Sequence, residues 1–261
     1  MKLKSTLSCL GLLLLLLPRP AGADEATDKA VYYDCLPKAI AGEAKCQLVI
    51  GQAFDLGRGV AQDQSQAVEW YRKSAEQGNP VAQYNLGICY DNGRGVAKDL
   101  AQAVLWFRKA AEQGYAEAQF NLGTFYEFGD GIDKDSQEAA NWYRKAAEQG
   151  HAKAQNHLGY FYYMGVGVPQ DYSQAAQWCR KAAEQGESGA QYYLAVMYNQ
   201  GKGVPQSYFN SFILILLAAQ GGVETAQKNL VGAASVLSPA DLKQSQTLAH
   251  GWKKGTPLPL R

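Results

Sequence analysis

Histidine is nearly absent from this chain, with three copies in 261 residues, and that scarcity removes much metal and acid–base chemistry. His151 and His157 stand six apart, whereas two ligands on one helix face need a spacing of about four. His250 stands alone near the C-terminal end. The sequence has no His-Glu-x-x-His, no Walker loop and no Ser-x-x-Lys. A zinc hydrolase, a phosphate-cradling NTPase and a serine β-lactamase each lack their first requirement. Catalytic residues, metal ligands and cofactors are therefore expected to be none. An excess of one charge is missing too: the formal net charge is +1, which gives no footprint for nucleic acid or anionic lipid.

Long apolar runs are scarce. One, Leu7 to Leu17, follows Lys2 and Lys4 and precedes Ala21-Gly22-Ala23. This reads as a secretory signal peptide over 1–23, too short to span a bilayer comfortably and cleaved near Ala23. Its removal takes Lys2, Lys4 and Arg19 and no acid, turning +1 into −2. The mature chain is expected to be periplasmic or secreted, with no membrane span.

What the sequence has in abundance is repetition. Ala82-Gln83-Tyr84-Asn85-Leu86-Gly87 returns after 36 residues as Ala118 to Gly123, and again as Ala154 to Gly159. Glu76-Gln77-Gly78 returns at Glu112, Glu148 and Glu184. A fixed period of this size marks stacked helical hairpins. Five units are expected over 43–222, preceded by a capping helix over 24–42 that Pro37 should kink or split. A partial repeat and capping helix follow over 223–254, opened at Ser238-Pro239, and then a mobile tail over 255–261.

Each unit reads as helix A, a Gly-x-Gly loop and helix B. Ala82, Leu86 and Tyr90 share one A-helix face. Gly51, Gly87, Gly123 and Gly159 lie within A helices, which suggests close helix contact. Asp63, Asp99, Asp135 and Asp171 each precede Gln or Glu by three residues, the pattern of a capping box. Trp70, Trp106, Trp142 and Trp178 are expected as buried anchors, with the following Arg-Lys pairs facing water. The fifth helix B breaks the pattern with Ser211-Phe-Ile-Leu-Ile-Leu-Leu. Its apolar face is expected to be covered by the remaining chain; self-association through this end is the other possibility.

The pattern A-x-x-x-L-G-x-x-Y-x-x-G-x-G-V-x-x-D-x-x-x-A-x-x-W-x-R-K-A-A-E-Q-G resembles the Sel1-like repeat, a relative of the tetratricopeptide repeat. The resemblance implies an all-α fold, a right-handed α/α superhelical solenoid of helix-turn-helix repeats whose A helices line a concave surface. It also implies an exported adaptor that binds a protein or peptide. The alternative is a β-lactamase-like or cell-wall-ligand-binding protein of the cysteine-rich type.

Comparison of the units separates framework from variable positions. The variable A-helix positions are Tyr84, Phe120, Asn156 and Tyr192; Ile88, Thr124, Tyr160 and Val196; Asp91, Glu127, Tyr163 and Asn199. These share a helix face, with Phe128 and Met164 beside them. The contact residues expected from this are Tyr84, Ile88, Phe120, Glu127, Phe128, Asn156, Tyr160, Tyr163, Met164 and Tyr192. Cys35 and Cys46, on neighbouring antiparallel helices, are expected to form a disulfide. Cys89 and Cys179 are expected to be buried free thiols.

Overall fold

A computed structural model describes residues 25–261; the export segment expected over 1–23 lies outside them. Among the described residues all regular structure is α-helical. The elements are α1 (Glu25–Ile40), α2 (Ala44–Leu56), α3 (Gln64–Glu76), α4 (Pro80–Asn92), α5 (Leu100–Glu112), α6 (Ala116–Phe128), α7 (Ser136–Glu148), α8 (Ala152–Met164), α9 (Tyr172–Glu184), α10 (Ser188–Gln200), α11 (Tyr208–Gln220), α12 (Glu224–Ser235) and α13 (Pro239–Gly251). The even-numbered helices α2 to α12 are the A helices, and the odd-numbered helices α3 to α11 are the B helices. The chain divides into two compact units. One holds the described residues up to Ala118 with Asp130–Asp133; the other holds Gln119–Gly129 and Lys134–Arg261.

Each hairpin closes where a glycine meets a large side chain. In the first unit, a Cβ on Gly51 would lie 2.6 Å from the Tyr71 ring, and one on Gly87 2.8 Å from Phe107. In the second, Gly123 faces Tyr143 at 2.8 Å and Gly159 faces the Cys179 sulfur at 2.6 Å. The mid-helix glycines thus trade helix propensity for contact, as their recurrence suggested. The principal buried anchor is consequently the residue after each tryptophan. Tyr71, Phe107 and Tyr143 are fully buried, Trp106 and Trp142 are buried as expected, and Trp70 and Trp178 are half-buried.

The Arg-Lys pairs do more than face water. Lys73, Lys109, Lys145 and Lys181 sit over the rings of Trp70, Trp106, Trp142 and Trp178 at 3.7 to 4.2 Å, a cation–π geometry. Arg72, Arg144 and Arg180 donate to the hydroxyls of Tyr90, Tyr162 and Tyr198 on the next A helix. The capping boxes are also only half formed. Asp63 accepts from the Gln66 amide, as do its counterparts Asp99, Asp135 and Asp171 from theirs. The cap's own N–H, which the glutamine would satisfy in a full box, donates instead to an A-helix carbonyl: Asp63 to Phe54, Asp99 to Tyr90, Asp135 to Tyr126 and Asp171 to Tyr162. That bond fastens helix B to helix A.

A second fastening joins successive hairpins. Gln83 donates to the Ala75 carbonyl and accepts from Gln113 at 2.7 Å. Gln155 does the same with Ala147 and Gln185. These glutamines are buried, and pairing both ends of the amide removes the cost of burying it.

The ends differ from expectation in two places. Pro37 lies in the last turn of α1, which stays a single helix to Ile40. The segment 255–261, expected to be a mobile tail, is docked. Gly255 donates to the Glu184 carbonyl at 2.7 Å, Leu258 is buried, and Arg261 exchanges two backbone hydrogen bonds with the Asn210 side chain. Arg261 also stacks over Phe209 and pairs with Asp241. With Leu248, Ala249 and Trp252, this segment covers the apolar α11, in which Phe212, Ile213 and Leu214 are buried. The remaining chain thus supplies the cover that the sequence anticipated.

Candidate protein-binding site

In the first unit, Tyr84 packs against Phe107 and Tyr115 at 5.7 and 5.2 Å between ring centres, and Ile88 is half-buried one turn on. Nearby, Asp55 pairs with Arg94 and accepts from the Tyr71 hydroxyl. Burial and the Asp55 charge push the Tyr71 phenol above its usual range. Two atoms here are buried without partners among the described residues, Gln52 Oε1 and Arg94 Nε. This cluster was missed in the sequence. Its signal was the arginine inside the Gly-x-Gly loop, found at Arg58 and Arg94 but replaced by Asp130, Val166 and Lys202 later.

The second unit holds the larger part of the stripe, on α6, α8 and α10. Phe120 stacks on His151 at 4.8 Å and meets His157 edge-on at 5.5 Å. His157 Nδ1 lies 3.2 Å from Glu127 Oε2, and Tyr143 donates to the same oxygen at 2.6 Å. Burial opposes ionisation of Glu127. The bonds from His157 and Tyr143, with the charges of His157 and Lys134, outweigh it and hold the carboxyl below its usual range. His151 Nδ1 accepts from the Ala154 amide and caps α8. Both histidines are thus accounted for by packing and capping.

Further along, Tyr160 packs against Tyr193 at 5.4 Å, and Tyr163 donates to Gln200 at 3.0 Å. Tyr192 packs on Tyr193 and accepts from Asn229. Asn156 is half-buried, and its Oδ1 is buried without a partner among the described residues. Phe120, Glu127, Asn156, Tyr160, Tyr163 and Tyr192 therefore lie on successive A helices linked by side-chain contacts, each half-buried. Beside them Phe128 is 61% and Met164 50% exposed. The half-burial of the other residues means that each also packs between repeats. Tyr84 and Ile88 belong to the other compact unit.

Cys35 and Cys46 are both buried, with sulfurs 3.2 Å apart and thiols free. Burial raises both thiols, Cys46 to about 12, so the thiolate needed for exchange is scarce at neutral pH. Cys89 and Cys179 are buried free thiols, pushed up by burial to about 11 and about 12.

Among solved structures, a Sel1 repeat protein from Oxalobacter formigenes is 32% identical, with a TM-score of 0.77 over 96% of this chain and 99% of that one. A protective antigen present in uropathogenic Escherichia coli strains, with an SLR fold, is 36% identical with a TM-score of 0.73 over 86% of this chain. This chain spans about half the length of that antigen, 53%. A comparison with curated proteins finds no match. The Sel1 repeat profile matches residues 44–79, 80–115, 116–151, 152–187 and 188–223. With five consecutive matches over most of its length, and helices paired as the repeat requires, the chain belongs to the Sel1 repeat family.

Proposed function

We propose that this protein is an exported, non-enzymatic adaptor that holds a protein or peptide ligand against the A-helix stripe of its second compact unit. The fold is one that commonly mediates protein–protein interaction. The observation that carries the reading is the exposure of Phe128 and Met164 beside a run of half-buried tyrosines. Tyrosine suits such a surface because it joins apolar area to a directional hydroxyl at small entropic cost.

The test is Tyr160→Ala combined with Tyr163→Ala. A ligand captured from periplasmic extract and then titrated in purified form should bind this variant at least about tenfold more weakly, the loss expected when aromatic anchors are truncated. Helix content should stay unchanged by circular dichroism. Binding equal to that of the original chain would remove the stripe from consideration.

Export implies an oxidising compartment, and closure of Cys35 to Cys46 belongs to the same reading. The sulfurs need to approach from 3.2 Å to a bond length of about 2.05 Å. Thiol titration of the denatured, unreduced chain from Asp24 onward, isolated from the periplasm, should count Cys89 and Cys179 alone. Four titrating thiols would show that the pair stays reduced.

A further inference from the structure

A cavity of about 340 Å³ opens on the stripe between α10, α11 and α12, lined by Tyr192, Val196, Ser211, Ile215, Asn229 and Gly232 among others. The internal repeat explains why it is there. The position of Ile215 is Tyr71, Phe107 and Tyr143 in the first three repeats, where the rings are fully buried, and Cys179 in the fourth. On the facing helix, Gly232 and Ala233 stand where α8 carries Tyr160 and Phe161. Relative to the third repeat, bulk is missing from both walls, and the volume falls within the range of ligand pockets.

Ser211 is the second observation. The same position is Ala67, Ala103, Ala139 and Ala175 in the other repeats. Ser211 is 3% exposed and lines the cavity, and its hydroxyl has no hydrogen-bond partner among the described residues. The cavity is open to water, and a ligand seated in it would take the place of water at this hydroxyl.

The lining selects the ligand's chemistry. Ser211, Asn199, Asn229 and Tyr192 can each donate and accept, as a peptide group does. The one charged lining residue, Lys228, is already paired with Glu224 at 2.5 Å. Val196, Ile215 and Val236 offer walls for an alkyl group. We propose that this cavity binds an aliphatic side chain of an extended polypeptide ligand together with its flanking, uncharged backbone amides. The proposal rests on the adaptor reading and assigns one pocket within it.

The test is a titration of the full ¹⁵N-labelled chain with N-acetyl-leucine amide, followed by NMR. Amide signals of Val196, Ser211 and Gly232 should shift and saturate on the order of 1–10 mM, the range expected for so small a ligand. N-acetyl-leucine carrying a free carboxylate should bind more weakly. Gly232→Leu adds bulk at a lining residue of the cavity without a clash, since a Cβ there meets nothing within 4 Å, and helix propensity improves. Its half-saturation should rise tenfold or more while thermal stability holds. Absent shifts, shifts that persist unchanged in Gly232→Leu, or tighter binding of the carboxylate form would overturn the proposal.

The variant Tyr160→Ala with Tyr163→Ala, which leaves the cavity lining intact, distinguishes the two claims. If it loses the captured ligand and the leucine amide still fails to bind the original chain, the pocket alone falls. If the amide binds and the double variant keeps its ligand, the stripe falls and the pocket stands.

Discussion

Replacing Tyr143 by alanine is expected to lower the free energy of unfolding by about 3–5 kcal/mol, the cost of deleting a buried aromatic side chain. The ring is fully buried. It packs against Phe120, His157 and Phe161 at 4.9 to 5.7 Å between centres and closes over Gly123. Tyr143→Phe separates the hydroxyl from the ring. It should cost about 1–3 kcal/mol at neutral pH, because Glu127 loses its shortest hydrogen bond.

The hydroxyl's contribution should depend on pH with a definite sign. Glu127 titrates below the usual carboxylate range in the folded chain. Its ionised form therefore contributes stability that is complete above the unfolded value and is lost as pH falls through the folded one. The gap between the original chain and Tyr143→Phe should narrow in acid, read as denaturant midpoints at neutral pH and below the ordinary carboxylate value. A gap that widens in acid would mean that the carboxylate is not the hydroxyl's partner.

Gly203→Ala is expected to cost about 3 kcal/mol or more, from two separable terms. Gly203 has φ +70°, a conformation that costs a residue with a Cβ about 1–2 kcal/mol. The new Cβ would also lie 2.0 Å from the Tyr172 carbonyl oxygen. Main chain cannot swing aside as a side chain can, so relief requires the loop to move off α9, with an overpacking cost of about 1–3 kcal/mol. Gly222→Ala isolates the first term, since φ is +87° and nothing lies within 4 Å of the added atom. The urea midpoint should fall clearly further for Gly203→Ala than for Gly222→Ala. Equal shifts would mean that backbone conformation alone explains the glycine.

The repeat was legible because local chemistry recurs. Asp63 and its counterparts mark helix starts, glycine marks their ends, and Ala82 with Leu86 marks the buried face. Other features were hidden for a physical reason. The sequence puts Lys73 three residues after Trp70, but whether the ammonium stays in water or lies on the ring depends on rotamers and neighbouring bulk. The glutamine bonds were invisible because Gln83 meets Gln113 only when the two helices of a hairpin pair, and meets the Ala75 carbonyl only when successive repeats stack. The arginine-to-tyrosine bonds were hidden likewise. The recurring tryptophans stood out as anchors, but Gly51 leaves room for the residue after the tryptophan, Tyr71.

The candidate site divides in the same way. The stripe could be named from variation among the units, and six of its members lie on linked A helices of the second compact unit. Exposure separated Phe128 and Met164 from the half-buried tyrosines, and the cavity beside Ser211 required coordinates. A void is a difference between facing surfaces, and sequence periodicity records only one surface at a time.

The sequence alone determined the helical hairpins, their number and the family, because capping, periodicity and glycine spacing act over a few residues. The tertiary structure decided which aromatics anchor, where the last seven residues lie, how Glu127 is held and where volume is left unfilled. These depend on side chains brought together from helices distant in sequence, where distance and burial set the energy.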